Sequence, residues 1–106
     1  MADTESRTQV AVVRIDRDPQ SAFLRAVDLV GGMKGLNSPD RQVTIKVGVF
    51  DHRSRHHPSV EAVQAIASAF DQAPSIQIAE SDNYCGKALE RLQYCYGELF
   101  NERVIP

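Results

Sequence analysis

Apolar positions along this chain alternate between two rhythms. Short, nearly continuous runs give way to stripes spaced three or four residues apart, a pattern that predicts strands separated by helices. Residues 10–15 read Val10-Ala11-Val12-Val13-Arg14-Ile15, the composition of a strand covered on both faces. Asp16-Arg17-Asp18-Pro19 then predicts a helix start, with Asp18 as cap and Pro19 in the first turn. Phe23, Ala26, Val27 and Val30 form its apolar stripe, and Gly31-Gly32 ends it.

A second strand is predicted over residues 42–50, with Val43, Ile45, Val47 and Val49 on one face. The polar segment 51–57 leads to Pro58, again suited to a first turn. A helix then follows over about 59–72, with Val60, Val63, Ala67 and Phe70 on one stripe. Pro74 closes it. A short strand, Ile76–Ala79, precedes a third helix over about 86–100 that repeats Leu89, Leu92, Tyr96 and Leu99.

The predicted order is β-α-β-α-β-α. Strands separated by helices pair in parallel through crossovers, so the expected class is α/β: a three-layer arrangement around a small, mostly parallel sheet. Val104-Ile105-Pro106 reads as the start of a fourth strand, so the sheet is expected to be incomplete and the chain part of a larger whole. Residues 1–9 read as a polar tail, and residues 10–106 as one domain.

A net charge of -2 argues against a nucleic-acid binder, which needs a basic surface to neutralise phosphates. No apolar run approaches the ~20 residues of a membrane-spanning helix, and the polar start has no hydrophobic stretch of the kind a secretion signal carries. Cys85 and Cys95, ten positions apart on one predicted helix, are too distant for a disulfide. Two thiols fall short of the four that an iron–sulfur cluster takes, so no such cluster is expected in this chain. Reduced cysteines point to a cytoplasmic setting.

In open parallel sheets ligands bind beyond the carboxyl ends of the strands. There the sequence places Asp16, then Asp51-His52, then Glu80-Ser81-Asp82. Such a group suits a divalent cation or a general acid and base, and it equally suits caps for the helices that follow. The segment 51–57 holds all three histidines. His52 and His56 have the i, i+4 spacing of a metal pair, with Asp51 nearby, but Pro58 disfavours helical geometry just before it. Arg53 and Arg55 offer a grip for phosphate or carboxylate beside the second helix. Lys46 is either a partly buried ammonium tuned for chemistry, if its strand is central, or the guard of an edge strand. Gly31-Gly32-Met33-Lys34-Gly35 ends a helix, whereas a phosphate loop joins a strand to one.

Several stretches together resemble the start of the family called domain of unknown function 362. The carriers are Val10-Ala11-Val12-Val13-Arg14-Ile15, the helix ending in Gly31-Gly32, and Val43-Thr44-Ile45-Lys46. His57-Pro58-Ser59-Val60-Glu61-Ala62-Val63 and Ile76-Gln77-Ile78-Ala79-Glu80-Ser81 complete them. The resemblance covers most of residues 10–100. It implies a strand with a lysine, a helix opened by His-Pro, and a strand ending in a carboxylate, which marks Lys46, His57 and Glu80. The family usually has Pro and Asn after the lysine, where this chain has Val47-Gly48, and its cysteine-rich cluster-binding segment has no counterpart here.

Three functions in different classes are therefore open. One is a module, non-catalytic alone, that works as a homo-oligomer or with a larger protein partner. Another is a small ligand- or metal-binding enzyme domain using Lys46, Asp51, His57 and Glu80. A nucleotide-binding domain is a third, and it lacks a phosphate loop.

Overall fold

A computed structural model describes residues 8–51 and 56–106. Three helices and three strands alternate along it: α1 (Pro19–Leu29), β1 (Val43–Lys46), α2 (Val60–Ala69), β2 (Ile76–Ala79), α3 (Ala88–Tyr96) and β3 (Val104–Ile105). A 3-10 turn, Gly97–Leu99, extends α3. None of the described helices is long and apolar enough to cross a membrane.

Local chemistry fixes the helix ends. Asp18 accepts from the Gln20 N–H at 3.1 Å and from the Ser21 hydroxyl at 2.6 Å, with Pro19 as the first helical residue. At the other end of α1 the Gly32 N–H reaches the Val27 carbonyl at 2.8 Å and the Gly31 N–H that of Asp28 at 3.3 Å. This is the paired Schellman closure, and Gly32 sits at φ +86°, where a side chain is disfavoured. Ser59 caps α2 through the Ala62 N–H at 3.1 Å. Pro58 thus stands before the cap, two residues earlier than the first helical position where it is expected.

The strands lie in the order β1-β2-β3, all parallel, with Val43 opposite Ile76 and Ile76 opposite Val104. Each crossover carries a helix, α2 and then α3. On β2, Ile76 and Ile78 are fully buried while Gln77 is exposed. The buried side meets Val63 and Ala67 of α2 and Leu92, Cys95 and Tyr96 of α3, with Val47 and Val49 just beyond β1. The opposite face carries Thr44, Lys46, Gln77 and Ile105, all exposed. The α/β class and the small parallel sheet are those the periodicity indicates. The helices that build the core lie on one face, and the third layer has no occupant among the described residues.

Three expectations change. Residues 10–15 are not a strand of this sheet. Ala11 and Val13 are instead half-buried, lining an apolar cleft with Phe23 and Ala26 of α1 and Ile66 of α2. Val10 and Val12 are 81% and 90% exposed, Val12 at the mouth of the same cleft. Packing on helices satisfies alternate side chains of such a run but none of its backbone groups. The element order therefore becomes α-β-α-β-α-β, with Val104–Ile105 as its third strand. Second, Leu89 is exposed. The buried face of α3 is Arg91, Leu92, Cys95 and Tyr96, and Leu89 falls about a quarter-turn off its centre at ~100° per residue. Third, Cys85 lies before α3, in the turn closed by Asn83 and Gly86, so the two cysteines do not share a helix.

Candidate functional site

The parallel register sets Lys46 opposite Ala79, so Glu80 emerges one residue beyond β2, beside the end of β1. There Lys46 Nζ meets Glu80 Oε1 at 2.7 Å. The pair is asymmetric: the lysine side chain is 63% exposed and the carboxylate 6%. Oε1 of Glu80 also accepts from the Ser81 N–H at 2.9 Å. Burial works against ionising Glu80, but the hydrogen bond and charge of Lys46, with backbone donors of Ser81 and Val49, hold its pKa below the ordinary value. Because β1 is an edge strand, Lys46 stands at a solvent-facing margin and not inside the sheet.

Behind this pair lies a residue that the hydrophobic pattern does not single out. Arg91 on α3 is 1% exposed. Its Nη1 donates to the Val49 carbonyl and its Nη2 to that of Ser81, while Nε has no partner. One guanidinium thus ties the loop after β1 to the loop after β2. Asn83 adds a second tie, donating from Nδ2 to the Phe50 carbonyl at 3.2 Å, and Phe50 meets the Tyr84 ring edge-on at 5.6 Å. The only sequence signal for Arg91 is its place beside Leu92 and four before Cys95, on the flank of the apolar stripe.

His57 packs edge-on against Tyr96, ring centroids 5.9 Å apart. The Tyr96 hydroxyl donates to the Pro58 carbonyl at 2.7 Å and lies 3.5 Å from His57 Nδ1. Burial, then the negative charges of Cys95 and Glu80, push the Tyr96 pKa up to about 12. Burial likewise raises the Cys95 thiol, against the pull of Arg91.

The structure thus brings Lys46 and Glu80 together and sets His57 on Tyr96. Asp51 is half-buried and already engaged. Asp82 serves α3, accepting from the Ala88 N–H at 2.7 Å and pairing with Lys87 at 3.6 Å. Asp16 and His56 are exposed. The proposed His52–His56 pair, and the grip of Arg53 and Arg55, lie outside the described residues. Among those described, no group of three His, Cys, Asp or Glu residues is placed to hold a metal ion.

Chemically, most of the charged groups at this edge are engaged with one another or with backbone, with the Lys46 and Lys87 ammoniums facing solvent and Arg91 Nε left without a partner. No protein-family model matches the chain, and neither does any curated protein or solved structure.

Proposed function

We propose that this chain is an α/β module, non-catalytic on its own, that acts in the cytoplasm as part of a homo-oligomer or with a larger protein. In this reading it resembles the N-terminal part of a domain-of-unknown-function 362 protein. One observation carries the reading: the charged groups at the strand ends are spent on each other. Glu80 is held ionised by Lys46 and by backbone donors, which suits it poorly to shuttle a proton near neutral pH. Arg91 spends both terminal nitrogens on loop carbonyls. The lysine and glutamate marked by the family resemblance act here as a clasp between two strand ends.

The test is thermal melting of the purified chain with magnesium, manganese, nickel, zinc, inorganic phosphate and a nucleoside triphosphate. No shift in Tm is expected with any of them. A saturable shift that Lys46→Ala or Glu80→Gln removes would overturn the reading.

A second reading rests on the exposed Lys46 ammonium beside a buried carboxylate, at the sheet edge where parallel folds take ligands. It makes the chain a small ligand- or metal-binding enzyme domain using Lys46, Asp51, His57 and Glu80. Metal analysis of the chain separates the two: stoichiometric metal that is lost on His57→Ala selects the second.

A further inference from the structure

We propose that the cleft between residues 11–15, α1 and α2 holds a single-chain amphiphile with an anionic head, its apolar tail against Phe23 and Ala26 and its head among Arg14, Arg17 and Arg25. The site shares no residue with the Lys46–Glu80 clasp, so the proposal goes beyond the module reading.

Two hollows meet here. The first, about 350 Å³, is bounded only by apolar residues, among them Val12 and Ile15, Phe23 and Ala26 of α1, and Ile66 of α2. Four of its ten lining residues are alanines, whose short side chains leave the space open. The second, about 660 Å³, is bounded by Arg14, Arg17 and Arg25 together with Asp16, Asp18 and Ser21. Val13 and Ala22 line both, so the hollows adjoin. Small-molecule sites start at about 300 Å³ and combine an apolar lining with a few convergent polar groups, the division seen here.

Neither half is explained by the fold. α1 contributes no fully buried side chain, and Phe23 and Ala26 stay half-buried beside Val12 at 90% and Ile15 at 56% exposure. Apolar surface is thus gathered at one place and left in water. The arginines are equally unspent: among the described residues no ion pair or hydrogen bond engages Arg14, Arg17 or Arg25. By contrast Arg91 and Arg103, which serve the fold, each donate twice to backbone carbonyls.

Charge selects the head. Of the two carboxylates in the polar hollow, Asp18 is committed to the Gln20 N–H and the Ser21 hydroxyl at the start of α1. Three cations against two carboxylates leave the hollow positive by one, in a chain whose formal net charge is -2. Guanidiniums grip carboxylate and phosphate oxygens through paired N–H donors, whereas a neutral or cationic head would leave them unpaired.

Isothermal titration of the full chain with octanoate, decanoate and decyl phosphate tests this. Saturable one-to-one binding is expected, about tenfold tighter for decanoate than for octanoate because two more methylenes are buried. Arg17→Gln combined with Arg25→Gln should weaken decanoate binding about tenfold or more, with an unchanged melting curve. Ala26→Leu, which fills the cleft, should abolish it, and decyltrimethylammonium, the same tail on a cationic head, should not bind. Bound decanoate should also slow hydrogen exchange of the α1 amides. Binding of either anionic head supports the proposal, and the tighter of the two identifies it. Absence of saturable binding, equal affinity for octanoate and decanoate, or binding indifferent to the arginine substitutions overturns it. So does adsorption to phosphatidylglycerol vesicles without binding of the free amphiphiles, which would make the patch a membrane-facing surface. Inorganic phosphate has no tail to bury, so its expected silence in the melting assay and the binding of decanoate can each fail alone.

Discussion

Arg91 carries a full charge into a site with almost no water, and its neutralising partners are carbonyl dipoles of two loops. Truncation to Ala would strand the Val49 and Ser81 carbonyls together. At roughly 1–3 kcal/mol for each buried group left unpaired, Arg91→Ala should lower unfolding stability by about 3 kcal/mol. Arg91→Lys replaces the planar fork by a single nitrogen on a shorter reach and should recover only part of it. Urea denaturation reads both, and a loss under about 1 kcal/mol would show that the loops hold without the guanidinium. The pH limbs belong to two other residues. Glu80 has a depressed pKa when folded, so its contribution is complete above the ordinary value of 4.5 and fades as pH falls through the lower folded value. Lys46→Ala should flatten that acid limb. Tyr96 has the opposite sense. Its pKa rises from 10.0 to about 12 on folding, so its contribution is complete below pH 10 and is lost between the two values. Tyr96→Phe should remove this alkaline limb and, by losing the bond to Pro58, cost about 1 kcal/mol at neutral pH. Melting curves across pH check both limbs, and an alkaline limb unchanged in Tyr96→Phe would assign it elsewhere.

Among the elements, those signalled by short-range chemistry were the most legible. Asp18-Pro19 and Gly31-Gly32 bracket α1 as their capping chemistry requires, and β2 is the predicted Ile76–Ala79. Because Gly32 is at φ +86° and a Cβ there would meet only the Asp28 carboxylate, at an ordinary 3.7 Å, Gly32→Ala should cost about 1 kcal/mol, chiefly through backbone conformation. A thermal shift too small to resolve would mean that the last turn of α1 relaxes freely. Residues 10–15 misled because composition reports a preference for extended backbone and says nothing of which neighbour supplies the ladder. At the site, the sequence placed Lys46 and Glu80 at strand ends, but pairing them needed the register of β1 on β2, which is a tertiary fact. Arg91 was hidden because its charge argues for the surface. Only the loop carbonyls around it, contributed from 42 and 10 residues away in sequence, reverse that preference.

At the scale of the molecule, stability is distributed unevenly. The core gathers β2, the strands on either side of it, and the inner faces of α2 and α3. Arg103 braces this unit from below, with Nε donating to the Ala73 carbonyl at 3.0 Å and Nη2 to that of Phe70, so the approach to β3 is fastened to the end of α2. By contrast, α1 contributes no fully buried side chain. Its neighbourhood is held by the tilted Phe23–Phe70 contact at 6.3 Å and by Asn37, which bonds Asp71 at 2.8 Å and the Gln72 N–H at 2.9 Å. Exposed polar contacts of this kind contribute little net free energy. α1 should therefore open without the rest of the fold. Native-state hydrogen exchange should find the α1 amides exchanging through a local opening, while those of β2, α2 and α3 wait for global unfolding. Protection of α1 equal to that of β2 would mean that the cleft between α1 and α2 binds the two more tightly than its half-buried side chains imply. Shortening the side chain at Phe23 tests the same hierarchy. Phe23→Ala should speed exchange in α1 and leave β2 unchanged, because Phe23 is not part of the core cluster that Ile76 and Ile78 anchor and touches it only through Phe70, which packs on its rim.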